Sequence, residues 1–223
     1  MRLTSSAGRL LTTGTVAAAL LAGGGAAVAA PARPAQVTAP ARPAPATVPT
    51  QSAPAQATAP AGPYARLYPL ADWSARRLAT ADLVAAAKYG TDSPIDDPAR
   101  ERQVLDAVAA QAREIGADPE ATVRIFRDQI EANKVVQRGL FRRWDADPSQ
   151  APTERPDLAE VRKEINRING ELVRGIAASQ GARTAPYCGG VLTAAAVHVR
   201  HEQRLDALHS VALGRALRSV CAE

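Results

Sequence analysis

No acidic residue occurs before Asp72, cysteine occurs twice, and lysine is used three times against 24 arginines in a chain of 223 residues. Each scarcity excludes something. The first 63 residues, which carry no acid, hold Arg2, Arg9, Arg33 and Arg42, so four of the 27 basic residues stand apart from all 22 acidic ones. Removing them turns the formal charge of +5 into 23 Lys and Arg against 22 Asp and Glu, a net +1 for the rest of the chain. Proteins that bind nucleic acid concentrate basic residues into a footprint, and this balance argues against a nucleic-acid partner. Also missing are a glycine-rich phosphate loop, a nucleophile elbow, a Ser, His and Asp set in recognisable context, any fixed internal repeat, and any convincing alternation of apolar and polar residues. Without that alternation there is no signal for a sheet.

What is present begins with a targeting pattern. Arg2 and Arg9 precede a small, apolar run from about Leu10 to Ala30 that ends Ala27-Val28-Ala29-Ala30. This reads as a secretory signal cleaved near Ala29 or Ala30. Pro-containing repeats follow it instead of a charged stop-transfer flank, which favours removal over a permanent membrane anchor. Residues 31–63 are Ala, Pro, Gln, Thr and Val with almost nothing large to bury, the composition of a disordered tether. The expected organisation is a signal over 1–30, a tether over 31–63 and one all-helical domain over 64–223. The location is secreted or periplasmic, without stable membrane association after signal cleavage. In an oxidising compartment Cys188 and Cys221 are expected to form one disulfide.

From Tyr64 onward apolar residues recur at spacings of three and four. Helix one is predicted from about Arg66 to Tyr89, with Leu70, Trp73, Arg77, Ala81, Val84 and Lys88 on one stripe. Asp97 and Pro98 open a second helix that aligns Arg100, Val104, Val108, Gln111 and Ile115 and stops at Gly116. Asp118 and Pro119 open a third, running to about Trp144 through Phe126, Ile130, Asn133, Gln137 and Leu140. Asp157, with Glu160 three residues later as a variant capping box, opens a fourth that carries Val161, Ile165, Ile168, Leu172 and Ile176, with Arg162 beside the first, and ends at Gly181 and Pro186. The segment after Gly189-Gly190 reads as two more helical pieces meeting near His201 to Arg204. The expected fold is an all-α, single-domain bundle of about six helices with one disulfide.

Six polar side chains interrupt those stripes: Arg77, Lys88, Arg100, Asn133, Gln137 and Arg162. Burying a cation without a partner costs several kcal/mol, and no acid stands in the matching stripes. A small anionic ligand would supply what is missing. Taken singly, each residue also has a plain reading: Asn133 and Gln137 as an amide pair bonded to backbone, Lys88 as a snorkelling side chain, Glu101 as a surface partner of Arg100. Asp97 is accounted for by capping, and the start of the second helix offers free N–H groups to a ligand oxygen. His198, His201 and Glu202, with His209 two turns on, suggest metal-ligand spacing but lack a converging fourth ligand; no metal site is expected there. Four cations and two amides, with no evident nucleophile, suit chemistry by orientation and electrostatic stabilisation, such as rearrangement of a dicarboxylate. A non-enzymatic exported protein that holds a small dicarboxylate in the same pocket is the alternative.

Arg77-Leu78, the run from Asp82 to Lys88, Ile95-Asp96-Asp97-Pro98-Ala99-Arg100-Glu101, Ile125-Phe126-Arg127-Asp128-Gln129-Ile130, and Pro156-Asp157-Leu158 followed by Arg162 resemble the secreted, gamma-type (AroQ class) all-helical chorismate mutases. The likeness spans essentially the whole domain, and Cys188 and Cys221 fall where that subclass has its disulfide. It implies an isomerase that converts chorismate to prephenate without a cofactor. Arg77, Arg100 and Arg162 would hold the substrate carboxylates, with Asn133 helping; Lys88 and Gln137 would donate to the ether oxygen; Glu101 and the backbone of Asp97 would take the ring hydroxyl. A homodimer with each site built from one chain is implied too. Two positions depart from the pattern: Asn133 stands where the family often has a hydroxyl residue, and Gln137 stands where some members have Glu.

Overall fold

The computed structural model describes residues 61–221; the expected signal, and the expected tether up to residue 60, lie outside them. Among the described residues the elements are all helical: α1 Pro63–Lys88, α2 Pro98–Glu114, α3 Pro119–Ala146, a 3-10 turn Pro148–Gln150, α4 Leu158–Ala178, α5 Gln180–Arg183, α6 Cys188–Glu202 and α7 Ala207–Ala216. Local chemistry sets most boundaries. The carboxylates of Asp97, Asp118, Asp157 and Asp206 accept N–H groups from the first turns of α2, α3, α4 and α7, satisfying donors that have no partner within the helix. Gly116, at φ +72°, ends α2: Ala117 N–H donates to Ala112 O and Gly116 N–H to Arg113 O, the paired bonds of a Schellman stop.

The expected all-α bundle with one disulfide is what forms, and its helices number seven among the described residues because Ser179 ends α4 by bonding to Gly175 O and Ile176 O while its own carbonyl starts the short additional turn α5. Several finer expectations need correction. Helix α1 starts at Pro63, three residues early, since proline suits the first helical position. The α6–α7 break lies at Gln203 to Asp206, around Arg204 at φ +52°. Glu160 does not close a capping box; it accepts from Lys163. Trp73 is only half-buried and Ile115 is exposed.

Helix α1 is the central element, packed against α3, α4, α6 and α7, while α2 lies across α3 and α4. Leu67, Leu70, Leu78, Phe126, Ile168 and Leu172 form the interior. Val84, Val161 and Ile165, under Leu158, make a separate small apolar cluster. It sits where α1 and α4 flank the polar intruders.

Two features stabilise the end of the chain. The Cys188–Cys221 disulfide closes a loop with a sequence separation of 33, which stabilises by roughly 3 to 4 kcal/mol in the chain-entropy model. Reduction is expected to lower the denaturation free energy by about that amount in guanidinium titrations; unchanged midpoints would remove the disulfide from the stability account. His209 bridges α7 to α1, with Nδ1 2.8 Å from Asp206 Oδ1 and Nε2 3.1 Å from Asp82 Oδ1. The bond to Asp82 raises its pKa to about 9, against burial and with help from Asp206. A raised folded-state value gives stability that is complete below the unfolded-state pKa of about 6.5 and is lost as pH climbs through about 9. Since both carboxylates are half exposed, the loss is expected to be about 1 to 2 kcal/mol. Melting temperatures of His209→Gln should not show that decline; the same slope in both proteins would assign it elsewhere.

Candidate functional site

A cavity of about 110 Å³ opens where α1, α2, α3 and α4 meet the segment 89–97. Arg77, Val84 and Lys88 reach it from α1, Asp97 from the segment, Arg100 and Glu101 from α2, Asn133, Lys134 and Gln137 from α3, and Arg162 and Ile165 from α4. All eight residues assigned to ligand binding from sequence therefore line one space. Helical periodicity explains the grouping of seven of them, each about a whole number of turns from a core position on its own helix, and Asp97 joins them as the cap of α2.

Arg77 is the most deeply placed cation, only 4% exposed. Its Nε donates to Asn169 Oδ1 at 2.9 Å, and Nη1 to Gln129 O and Asn133 Oδ1 at 3.0 Å each. These acceptors are neutral, and burial lowers its pKa to about 10. Protonated at neutral pH, it keeps an uncompensated charge. Lys88 is buried as well and donates one proton to Pro94 O at 2.6 Å, which leaves two for a ligand. Burial lowers its pKa, Arg162 adds to that, and Asp97, Asp96 and Glu101 oppose it. Among the described residues none of Arg77, Lys88, Arg100 and Arg162 forms an ion pair with a carboxylate.

The amides are unequal. Asn133 Oδ1 is committed to Arg77, so its remaining polarity is the donor side. Gln137 Nε2 makes one long bond, 3.3 Å, to Asn133 O, and its buried Oε1 accepts from no protein group. Turning that amide would set its oxygen against Asn133 O, so the donor side is defined by the backbone.

Arg100 and Arg162 correct the expectation of six core-facing residues. Both are half-buried at the mouth, because long guanidinium side chains on α2 and α4 extend past the packed stripe. Arg100 contacts Gln103 and Asn166 at 3.3 and 3.4 Å. The Asp97 carboxylate caps Arg100 N–H at 3.0 Å, and the Asp97 N–H donates to Glu101 Oε1 at 3.3 Å.

Sequence reading missed Lys134, which lines the same cavity with its Nζ 2.8 Å from Glu101 Oε1. A signal exists in the spacing: Lys134 lies four residues, about one helical turn, after Ile130 and next to Asn133, at the edge of the inward stripe of α3. Elsewhere, the histidines do not converge. His198 pairs with the Tyr64 hydroxyl, Glu202 accepts from Tyr68, and His209 bridges Asp82 and Asp206. Among the described residues no three metal-ligating side chains cluster. A larger cavity of about 430 Å³ touches Asp118, Arg124, Arg183 and Arg218. Its buried cation, Arg183, already donates to Val220 O and Ile176 O, and Asp118 caps α3. Those groups serve the fold.

The 110 Å³ cavity thus supplies positive charge and neutral donors, with a carboxylate held by Lys134 and another held as a cap. It can orient a compact dianion and stabilise charge that grows on one of its oxygens.

Comparison with known proteins points the same way. The family model for chorismate mutase type II matches residues 70–138. The chain is 39% identical over 155 residues to a secreted chorismate mutase of Mycolicibacterium smegmatis, covering 70% of this chain and 86% of that protein. It is 34% identical over 170 residues to a secreted chorismate mutase of Mycobacterium tuberculosis, covering 73% and 85%. The crystal structure of a chorismate mutase from Burkholderia phymatum superposes with a TM-score of 0.68 at 34% identity, covering 73% of this chain and all of that one.

Proposed function

The chain belongs to the type II chorismate mutases, and from that premise we infer that it is an exported chorismate mutase that rearranges chorismate to prephenate. The observation that carries the reading is the meeting of four cations without carboxylate partners and two amide side chains in one cavity. A Claisen rearrangement is unimolecular: the ether C–O bond breaks as the new C–C bond forms, with no covalent intermediate and no proton transfer. Such a reaction needs a folded substrate and donors at the oxygen that gains charge.

In this reading Arg77, from the floor of the cavity, and Arg100 and Arg162, from its mouth, bind the two carboxylates and hold the chair-like geometry. Asn133, whose oxygen is taken by Arg77, offers its amide donor to a carboxylate. Lys88 and Gln137 donate to the ether oxygen. Glu101 accepts the ring hydroxyl, assisted by the Asp97 backbone. No cofactor enters the chemistry. Residues 64–223 are the catalytic domain, residues 1–30 the signal and 31–63 the tether; export fits the relatives described as secreted, and no described helix is long and apolar enough to cross a membrane. A homodimer belongs to the same reading, and sedimentation of the purified domain tests it.

Incubation with chorismate, followed by its loss of ultraviolet absorbance and by acid conversion of product to phenylpyruvate, tests the activity. Arg162→Ala is expected to lower kcat/KM about 100-fold, the scale of one charge-assisted carboxylate contact. Binding of chorismate without turnover by the wild type would instead indicate a dicarboxylate-binding protein. Full activity in Arg162→Ala would remove Arg162 from the site.

A further inference from the structure

Lys134 follows Asn133 on α3, and its ammonium is nearly buried among three carboxylates: Glu101 Oε1 and Glu131 Oε1 at 2.8 Å and Asp96 Oδ1 at 3.2 Å. Burial alone would push its pKa down, but Glu101, Glu131 and Asp96 carry it well above the ordinary lysine value. The ammonium therefore stays charged across any working pH.

The three carboxylates are not equivalent. Asp96 is exposed and gives both oxygens to Arg138 Nη2 at 2.8 Å, and Glu131 faces outward more than Glu101 does. Only Glu101 lines the cavity. Its Oε1 is held twice from the protein side, by Lys134 Nζ and by Asp97 N–H. Among the described residues its Oε2 accepts from no donor.

A carboxylate beside a dianionic ligand is repulsive unless its charge is met. A cation fixed on one oxygen offsets that repulsion and leaves the other oxygen as an acceptor for a neutral hydroxyl. We propose that Lys134 is a positioning residue for ligand selection: by clamping Glu101 Oε1 it presents Oε2 to the ring hydroxyl, so that the site prefers a dicarboxylate carrying that hydroxyl to the same molecule without it. The inference rests on the chorismate reading and adds to it a source of specificity. With the ligand covering Glu101, which is half-buried in the free protein, an Oε2 left without a hydroxyl partner is what rejects the analogue.

The test compares kcat/KM for chorismate and for its analogue lacking the ring hydroxyl, in wild type, Lys134→Met, Lys134→Gln, Lys134→Arg and Glu101→Gln. Wild type is expected to favour chorismate by about 100-fold. The two neutral Lys134 variants should lose at least about tenfold of that preference, Lys134→Arg should keep most of it, and Lys134→Gln combined with Glu101→Gln should lose no more than Glu101→Gln alone. The paired neutral variants guard against one of them failing to fold, which thermal melts reveal, and Glu101→Gln approaches the pair from its other end. An unchanged preference in the neutral variants, or an equal rise in KM for both molecules, would overturn the proposal, the latter because Lys134 would then touch a carboxylate directly. A wild type that does not turn over chorismate would instead overturn the functional reading itself.

Discussion

Lys88→Ala is expected to lower kcat about 1,000-fold at saturating chorismate, the upper range for removing a preorganised donor from an oxygen that gains charge. The side chain is buried, carries its charge without an ion-pair partner, and uses one of its three protons on Pro94 O. In water such a charge would be spread over hydration; here it is fixed before the reaction begins, so little reorganisation is needed as the C–O bond breaks. Lys88→Arg should recover little, since a planar fork cannot replace a point donor in the same volume. Because burial lowers the Lys88 pKa, wild-type activity should fall on the alkaline side at a lower pH than an ordinary lysine would give. That limb should vanish from the residual activity of Lys88→Ala. Circular dichroism of the variant separates lost chemistry from a loosened 89–97 segment. A rise in KM with kcat unchanged would show uniform binding instead of transition-state stabilisation.

Gln137→Ala is expected to lower kcat by about 100-fold or more with little change in KM, yet to leave the melting temperature unchanged or raise it. The opposite signs come from the same atom group. Gln137 Oε1 is buried without a donor and Nε2 makes one long bond; an unpaired buried acceptor costs about 1 to 3 kcal/mol, which the folded protein sustains for the sake of the site. Removing the amide relieves that cost and removes the ether-oxygen donor together. An amide needs no proton to donate, so the pH-rate profile of the wild type should stay flat from mildly acidic to neutral pH, whereas Gln137→Glu should be active only where its carboxyl group is protonated. A steep wild-type loss through that range, or a change in KM alone in Gln137→Ala, would count against Gln137 as the donor.

Much of this was legible along the chain because it is local. Asp97, Asp118 and Asp157 announce the starts of α2, α3 and α4, and Gly116 announces the end of α2, since caps and stops are made by residues within one turn. The 3.6-residue period brought Arg77 and Lys88, and Asn133 and Gln137, onto inward faces, and both pairs are buried. The extra turn α5 was not legible, because it depends on the Ser179 hydroxyl and carbonyl serving two successive turns. Lys134 was passed over because a lysine reads as surface until its partners are known. Those partners, Asp96, Glu101 and Glu131, come from two other stretches of chain as well as its own helix.

The sequence by itself determined the helices and the polar residues that break their stripes, because both follow from short-range periodicity and backbone hydrogen bonding. Only the tertiary structure decided which charges are met and which are not. Arg77 and Lys88 end up among neutral protein acceptors, Lys134 ends up among carboxylates, and Arg100 and Arg162 stop at the mouth. Coulomb energy and desolvation depend on distances across helices that sequence spacing does not encode. The packing of α1, α2, α3 and α4 around one cavity therefore leaves four cations open to a dianion and closes the fifth.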